Sequence, residues 1–217
     1  MILNNYKLMQ TNASNQPAAT PEPDHRNPKP GKGRTPKQIV VIGTNGTGKS
    51  TFVKQLVVNE LEKKYSHILV VTPHDMEFTS LPLVNSRFPN RIEWYKGARR
   101  IIYFDGLLPI ILKNFKNGLL IFDDCRAYFT SSLDQDLHAL LISRRQLMID
   151  IVAVGHGFTE VPPKFFTFAT HFALFKTIDN IDRRKNVIQN FEQMKAAQLR
   201  VNREAQTNPH YYEIIKV

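Results

Sequence analysis

Nine consecutive residues, Gly43-Thr44-Asn45-Gly46-Thr47-Gly48-Lys49-Ser50-Thr51, satisfy every fixed position of the pattern G-x-x-x-x-G-K-[ST]. The chemistry of a nucleoside triphosphate accounts for each residue type. Glycines let the backbone turn tightly and bring its N–H groups onto a β-phosphate. Lys49 offers a mobile cation to the β and γ oxygens, and the Ser50 hydroxyl is placed to ligate Mg²⁺. The flanks suit the motif. Gln38 to Ile42 is a short apolar run that reads as a buried strand. Ser50 to Lys64 reads as an amphipathic helix whose N-terminus faces the phosphates.

A second acidic element follows in the order such a site requires. Leu119-Leu120-Ile121-Phe122 is an unbroken apolar strand that ends in Asp123 and Asp124, the Walker B pattern. Ligands in α/β folds sit at the carboxyl ends of parallel strands. Asp123 is therefore expected to hold Mg²⁺, and Asp124 to orient the attacking water or accept its proton. Asp also favours turns and helix caps, the alternative for any acid pair after a strand. A third strand, Ile149 to Val154, ends at Gly155-His156-Gly157. His156 is a candidate γ-phosphate sensor, with a backbone-bonded loop histidine as the alternative. Arg144 and Arg145 are candidates for the arginine that stabilises transition-state charge, and Arg126 is a third.

The bulk numbers bound the setting. The 217 residues suit one α/β domain with an appendage. Lys plus Arg is 29 against 19 for Asp plus Glu, a net +10. Six Lys/Arg against two acids fall in residues 1–37. This balance points to a polyanionic partner, most simply nucleic acid held through its backbone, or else to a generic basic surface. The single cysteine, Cys125, excludes an intrachain disulfide and reads as a small buried residue. No apolar run approaches the roughly 18 residues of a membrane span. The expected location is the cytosol or the inside of a particle.

Residues 1–36 are rich in Asn, Gln, Ala and Pro without strand or helix periodicity, and read as a disordered basic tail. From residue 37 to 217 strands and helices alternate, which predicts a mainly parallel sheet covered on both faces. Further strands are expected at 67–71, 92–95, 101–104, 172–175 and 211–217. Helices are expected at 107–115, 134–146 and, the longest, 179–205.

Together these residues resemble the FtsK–HerA superfamily of P-loop ATPases, and within it the small genome-packaging ATPases of membrane-containing and related icosahedral viruses. The resemblance rests on Gly43 to Thr51, Asp123-Asp124, Ser143-Arg144-Arg145 and Ile149 to His156. It is helped by Val71 to Phe78, and by Glu160-Val161-Pro162-Pro163 with the strand that follows. It implies a RecA/FtsK-like fold, ATP and Mg²⁺ as cofactors, a homo-oligomeric ring, DNA as the translocated partner and a capsid or vertex protein as the anchor. The chain departs from the family in three places. Asp124 stands where Glu is usual, so Glu77 becomes a second candidate base. His156 stands where Gln, Asn or Thr is usual, and Thr72 where Asp is usual. Competing readings are a nucleotide or nucleic-acid kinase, with Arg99-Arg100 or Arg183-Arg184-Lys185 as its lid, and a nucleotide-gated scaffold for phage assembly.

Overall fold

The computed structural model describes residues 35–61, 65, 67–73, 76, 78–83, 97–102, 108–127 and 134–217. The strands form where β-branched and aliphatic residues run unbroken: β1 Gln38–Ile42, β2 His67–Thr72, β3 Gly97–Ile102, β4 Gly118–Phe122, β5 Ile149–Gly155, β6 His171–Phe175 and β7 Tyr212–Lys216. Among the described residues the helices that alternate with them are α1 Lys49–Leu61, α2 Leu108–Asn114, α3 Asp134–Ser143, α4 Pro163–Thr167 and α5 Phe191–Glu204. Among the described residues the strands form one sheet in the order β3-β2-β4-β5-β1-β6-β7. Every neighbouring pair is parallel except β6 with β7. The fold is thus a mostly parallel α/β sheet of the P-loop kind.

The central strands are apolar throughout because both of their faces are covered. On one face Ile39, Val41, Ile68, Val70, Ile121 and Val152 pack on Phe52, Val53, Leu56 and Val57 of α1. On the other, Val40, Ile42, Leu69, Val71, Leu120 and Ile151 pack on side chains of α2, α3, α4 and α5. Each fully buried aliphatic or aromatic side chain contributes about 1.5–3 kcal/mol.

Two elements differ from the sequence expectation. The helix foreseen over 179–205 divides into a 3₁₀ turn, Ile181–Arg184, and α5. Asn180 caps that turn by accepting the Asp182 N–H at 2.9 Å. Asn190 then adopts a left-handed φ of 53°, through which no right-handed helix continues. The expected apolar side, Ile188, Met194 and Val201, is buried all the same. The strand foreseen at 101–104 begins earlier, at Gly97, because the charged Arg99 and Arg100 lie within β3. Arg100 is nearly buried and donates from Nε to the Leu81 carbonyl at 3.1 Å, which satisfies a charge that masks the strand pattern. The strand proposed at 92–95 and the tail through residue 34 fall outside the described residues. Pro36, grouped with the tail in the sequence reading, is buried.

At the start of β6 the His171 imidazole is pushed down to about 4, first by burial and then by Lys37 and Lys216. The folded state therefore binds fewer protons than the unfolded chain between pH 4 and the ordinary histidine value of about 6.5. Stability from this site is complete above that range and is lost as pH falls through it. Melting temperatures of wild type and His171→Gln should converge as pH is lowered from 7 to 4. Parallel curves would show that His171 titrates as it does in the unfolded chain.

Candidate nucleotide site

The site lies where β1, β4 and β5 end. Since β5 lies between β1 and β4, the end of β4 sits two strand spacings, about 10 Å, from the loop after β1. The end of β5 fills the space between. Lys49, Asp123, Asp124 and His156 consequently converge on one cleft of about 540 Å³, which Gly46, Gly48, Ser50 and Thr51 also line.

The phosphate-binding loop is fastened to its neighbours by its backbone. The Gly43 N–H donates to the Gly155 carbonyl at 3.3 Å and the Thr44 N–H to the Lys176 carbonyl at 2.8 Å. The Thr47 hydroxyl closes the loop on the Thr44 carbonyl at 2.8 Å. Gly46 and Gly48 hold φ of 77° and 98°, a region that side-chain-bearing residues rarely enter. Lys49 opens α1, is only 7% exposed, and donates from Nζ to the Thr44 carbonyl at 2.8 Å. Burial pushes its ammonium below the ordinary lysine value, while Asp123, Asp124 and Glu160 pull it back in part.

Lys49 Nζ also lies 3.4 Å from His156 Nδ1. An ammonium can only donate, so Nδ1 is the accepting nitrogen of this contact and Nε2 is the one that faces the acid pair. That Nε2 is 3.8 Å from Asp124 Oδ2. The structure thus brings His156 between the loop lysine and the acid pair.

Asp123 is 8% exposed and continues β4 by donating its N–H to the Val71 carbonyl at 2.9 Å. Asp124 leaves the strand at a left-handed φ of 50°. Asp and Asn accept this conformation more readily than Glu, which gives a local reason for the shorter acid at this position. Asp124 Oδ1 is buried and has no hydrogen-bond partner among the described residues. A buried carboxylate oxygen left in that state costs about 1–3 kcal/mol or more, which fits a group reserved for a water or ligand. Cys125 is fully buried and its thiol is pushed well above the ordinary range, in keeping with a packing role.

Two contacts here escaped the sequence reading. Glu160 accepts the His156 N–H on Oε2 at 3.1 Å and Arg126 Nη1 on Oε1 at 3.1 Å. Arg126 also reaches within 3.9 Å of Asp124 Oδ2. Glu160 therefore ties the histidine loop to the arginine that follows the acid pair. His210, from the loop between α5 and β7, lines the cleft, and a Cβ on Gly48 would lie 3.3 Å from its Nδ1. It stands 162 positions from Gly48 in sequence, and no local pattern marks it.

Other candidates stand elsewhere. Arg144 is buried and donates to the Pro36 carbonyl at 2.6 Å and the Phe168 carbonyl at 3.5 Å. Arg144 and Arg145 precede β5, so they lie at the end of the sheet opposite the cleft, about 20 Å away along that strand. Of the residues considered for a kinase lid, Arg184 spends its guanidinium on the Phe158, Thr159 and Val161 carbonyls, clamping the segment that carries Glu160. Arg99 and Arg100 belong to β3. Glu77 lies outside the described residues.

Asp124, His156 and Glu160 each bring a potential metal-ligating atom to within 4.8 Å of the other two. Lys49 on His156 and Arg126 on Glu160 already supply cationic partners there. Electrostatics therefore favour a hydrogen-bonded network over a metal at that cluster. The hard oxygen donors of Ser50 and Asp123, both lining the cleft beside the loop, suit Mg²⁺.

The sequence profile of the family described as Poxvirus A32 protein matches residues 32–216. The fold is similar to solved structures of the genome packaging NTPase B204 from Sulfolobus turreted icosahedral virus 2. In complex with AMPPCP the TM-score is 0.60 at 16% identity, covering 83% of this chain and 92% of that one. In complex with sulfate it is 0.59 at 14%, covering 85% and 93%. B204 of Sulfolobus turreted icosahedral virus, described as a DNA-packaging ATPase, matches at 0.58 and 17%, covering 85% and 94%.

Asp124→Asn keeps the size of the side chain and removes its basic oxygen. It should leave binding of a labelled ATP analogue within a few-fold of wild type while slowing turnover by about 10²-fold or more. Unchanged single-turnover kinetics would remove Asp124 from the water-activating role.

Proposed function

The chain belongs to the poxvirus A32 protein family, and from that premise we propose that it is an ATP-hydrolysing motor that moves DNA, packaging a viral genome into its capsid. The observation that carries the reading is the convergence of Lys49, Asp123, Asp124 and His156 on the loop cleft at one end of the sheet. The family and the B204 likeness supply the context of genome packaging.

In this reading the N–H groups of Asn45 to Thr51 cradle the phosphates, while those of Gly43 and Thr44 hold the loop to its neighbours, and Lys49 turns from the Thr44 carbonyl toward the β and γ oxygens. The Ser50 hydroxyl and Asp123 carboxylate would hold Mg²⁺, which neutralises the charge shared by those phosphates when bound. Asp124 orients the attacking water through its unpartnered oxygen and draws off its proton; Glu77 is the second candidate for that step. His156 senses the γ-phosphate, because it loses or regains Lys49 as the phosphate comes and goes. Among the described residues Arg126 is the arginine that lines the cleft, and Glu160 aims it. Arg144 and Arg145 would contribute only across a subunit boundary, in a homo-oligomeric ring. DNA would be held through its backbone, a capsid or vertex protein would anchor the ring, and the protein would work in the host cytoplasm or on the virion.

Of the kinase reading's lid candidates, Arg184 is committed to backbone carbonyls, and Arg99 and Arg100 lie within β3. The test is product analysis with γ-labelled ATP. Free phosphate should be the product, Lys49→Ala should abolish it in a folded protein, and Arg126→Ala should reduce kcat by on the order of 10³-fold. Label on an acceptor, or normal turnover by Lys49→Ala, would overturn the assignment.

A further inference from the structure

The end of the sheet opposite the cleft carries a row of cations on adjacent strands. Lys116 immediately precedes the approach to β4, Arg145 sits in the turn before β5, Lys37 precedes β1, and Lys216 lies near the end of the antiparallel β7. All four side chains are exposed. Backbone bonds join their positions into one line. The Asn117 N–H donates to Leu147 at 2.8 Å, the Ile151 N–H to Lys37 at 2.9 Å, the Thr170 N–H to Gln38 at 2.8 Å, and the Val217 N–H to Thr170 at 3.0 Å. His171 starts the intervening strand β6 and pairs in register with Lys216.

Adjacent strands lie about 4.8 Å apart, so the row from β4 to β7 spans roughly 19 Å. Duplex DNA presents one charge per about 1.7 Å of axis, or about eleven phosphates over that length. Among the described residues the acid placed between these cations, Asp150, is 4% exposed and accepts the Lys37 N–H and the Tyr65 hydroxyl. It therefore offers the row little surface neutralisation. The positive field is felt at His171, which Lys37 and Lys216 both disfavour charging. The segment before residue 37, with five Lys/Arg against two acids, joins the fold at this same end.

We infer that this strand-start face, with Lys37, Lys116 and Lys216 as its contacts, is a binding surface for the DNA phosphate backbone, separate from the nucleotide cleft. The inference rests on the DNA-motor reading and deepens it by assigning the surface. Contact through phosphates carries no base readout, as a translocating protein requires.

The test compares the full chain with a Lys37→Gln/Lys116→Gln/Lys216→Gln variant in titrations of labelled duplex DNA at several salt concentrations, with basal ATP turnover measured alongside. A control variant replaces Arg183, Lys185 and Arg203 by Gln, removing the same charge elsewhere. Each lost phosphate contact removes about 0.9 from the slope of log affinity against log salt. The row variant should bind more weakly with a slope shallower by about 2 to 3, keep its basal turnover, and differ from a control that stays near wild type. If wild type binds DNA and the row variant matches it, or the control weakens equally, the surface assignment fails and the motor reading stands. If wild type binds no DNA at low salt, the motor reading fails and the surface assignment falls with it.

Discussion

The Lys49 ammonium is a buried cation, and much of the surrounding structure acts to make its burial tolerable. An unpaired charge in such a place would cost several kcal/mol. Its support comes from three directions: the Thr44 carbonyl in its own loop, His156 at the end of β5, and the field of Asp123, Asp124 and Glu160. These partners come from strand ends that only the order β4-β5-β1 brings together. The sheet order is thus what allows the lysine to wait, largely dry, for a phosphate. A triphosphate would replace a neutral carbonyl and imidazole with anionic oxygens, a stronger partner for the same cation.

The same arrangement ties the state of the cleft to its walls. Arg126, Glu160 and the His156 backbone form a chain of short contacts that begins beside Asp124 and returns to Lys49 through the imidazole. Arg184 and Asp179 fix the segment that carries Glu160; Asp179 accepts from the Thr159 N–H at 2.7 Å and hydroxyl at 2.9 Å. Movement of Lys49 toward a γ-phosphate would therefore release one end of a network anchored in the loop after β5. Such a connection gives a motor a route from phosphate chemistry to loop position.

Local features were legible in the sequence, and long-range ones were not. The phosphate loop, the acid pair and the histidine between glycines each occupy a few consecutive residues at a strand end, so pattern alone finds them. The alternation of strands and helices also sufficed for the parallel sheet. Arg144 was drawn toward the phosphates by its closeness in sequence to β5. A residue before a parallel strand, however, starts at the end away from the ligand, and burial against Pro36 completes the difference. Glu160 and Arg126 meet across 34 residues, and His210 reaches Gly48 because antiparallel β7 starts at the cleft end of the sheet, where Tyr212 pairs with Phe175, so the loop before it lies beside the phosphate loop. The break before α5 depends on the left-handed Asn190, a choice that helix periodicity does not report. The preference for Asp over Glu at position 124 becomes intelligible only once its backbone is seen to be left-handed.

The molecule thus has two chemically distinct ends, a nucleotide cleft where the strands finish and a cationic face where they start. Coupling between nucleotide turnover and DNA is read in the steady-state rate of phosphate release, measured with and without duplex DNA across a salt series. The account predicts that DNA raises the rate at low salt and that this stimulation fades steeply as salt displaces the protein from the phosphates. A rate indifferent to DNA at low salt, in a protein that still hydrolyses ATP, would contradict it.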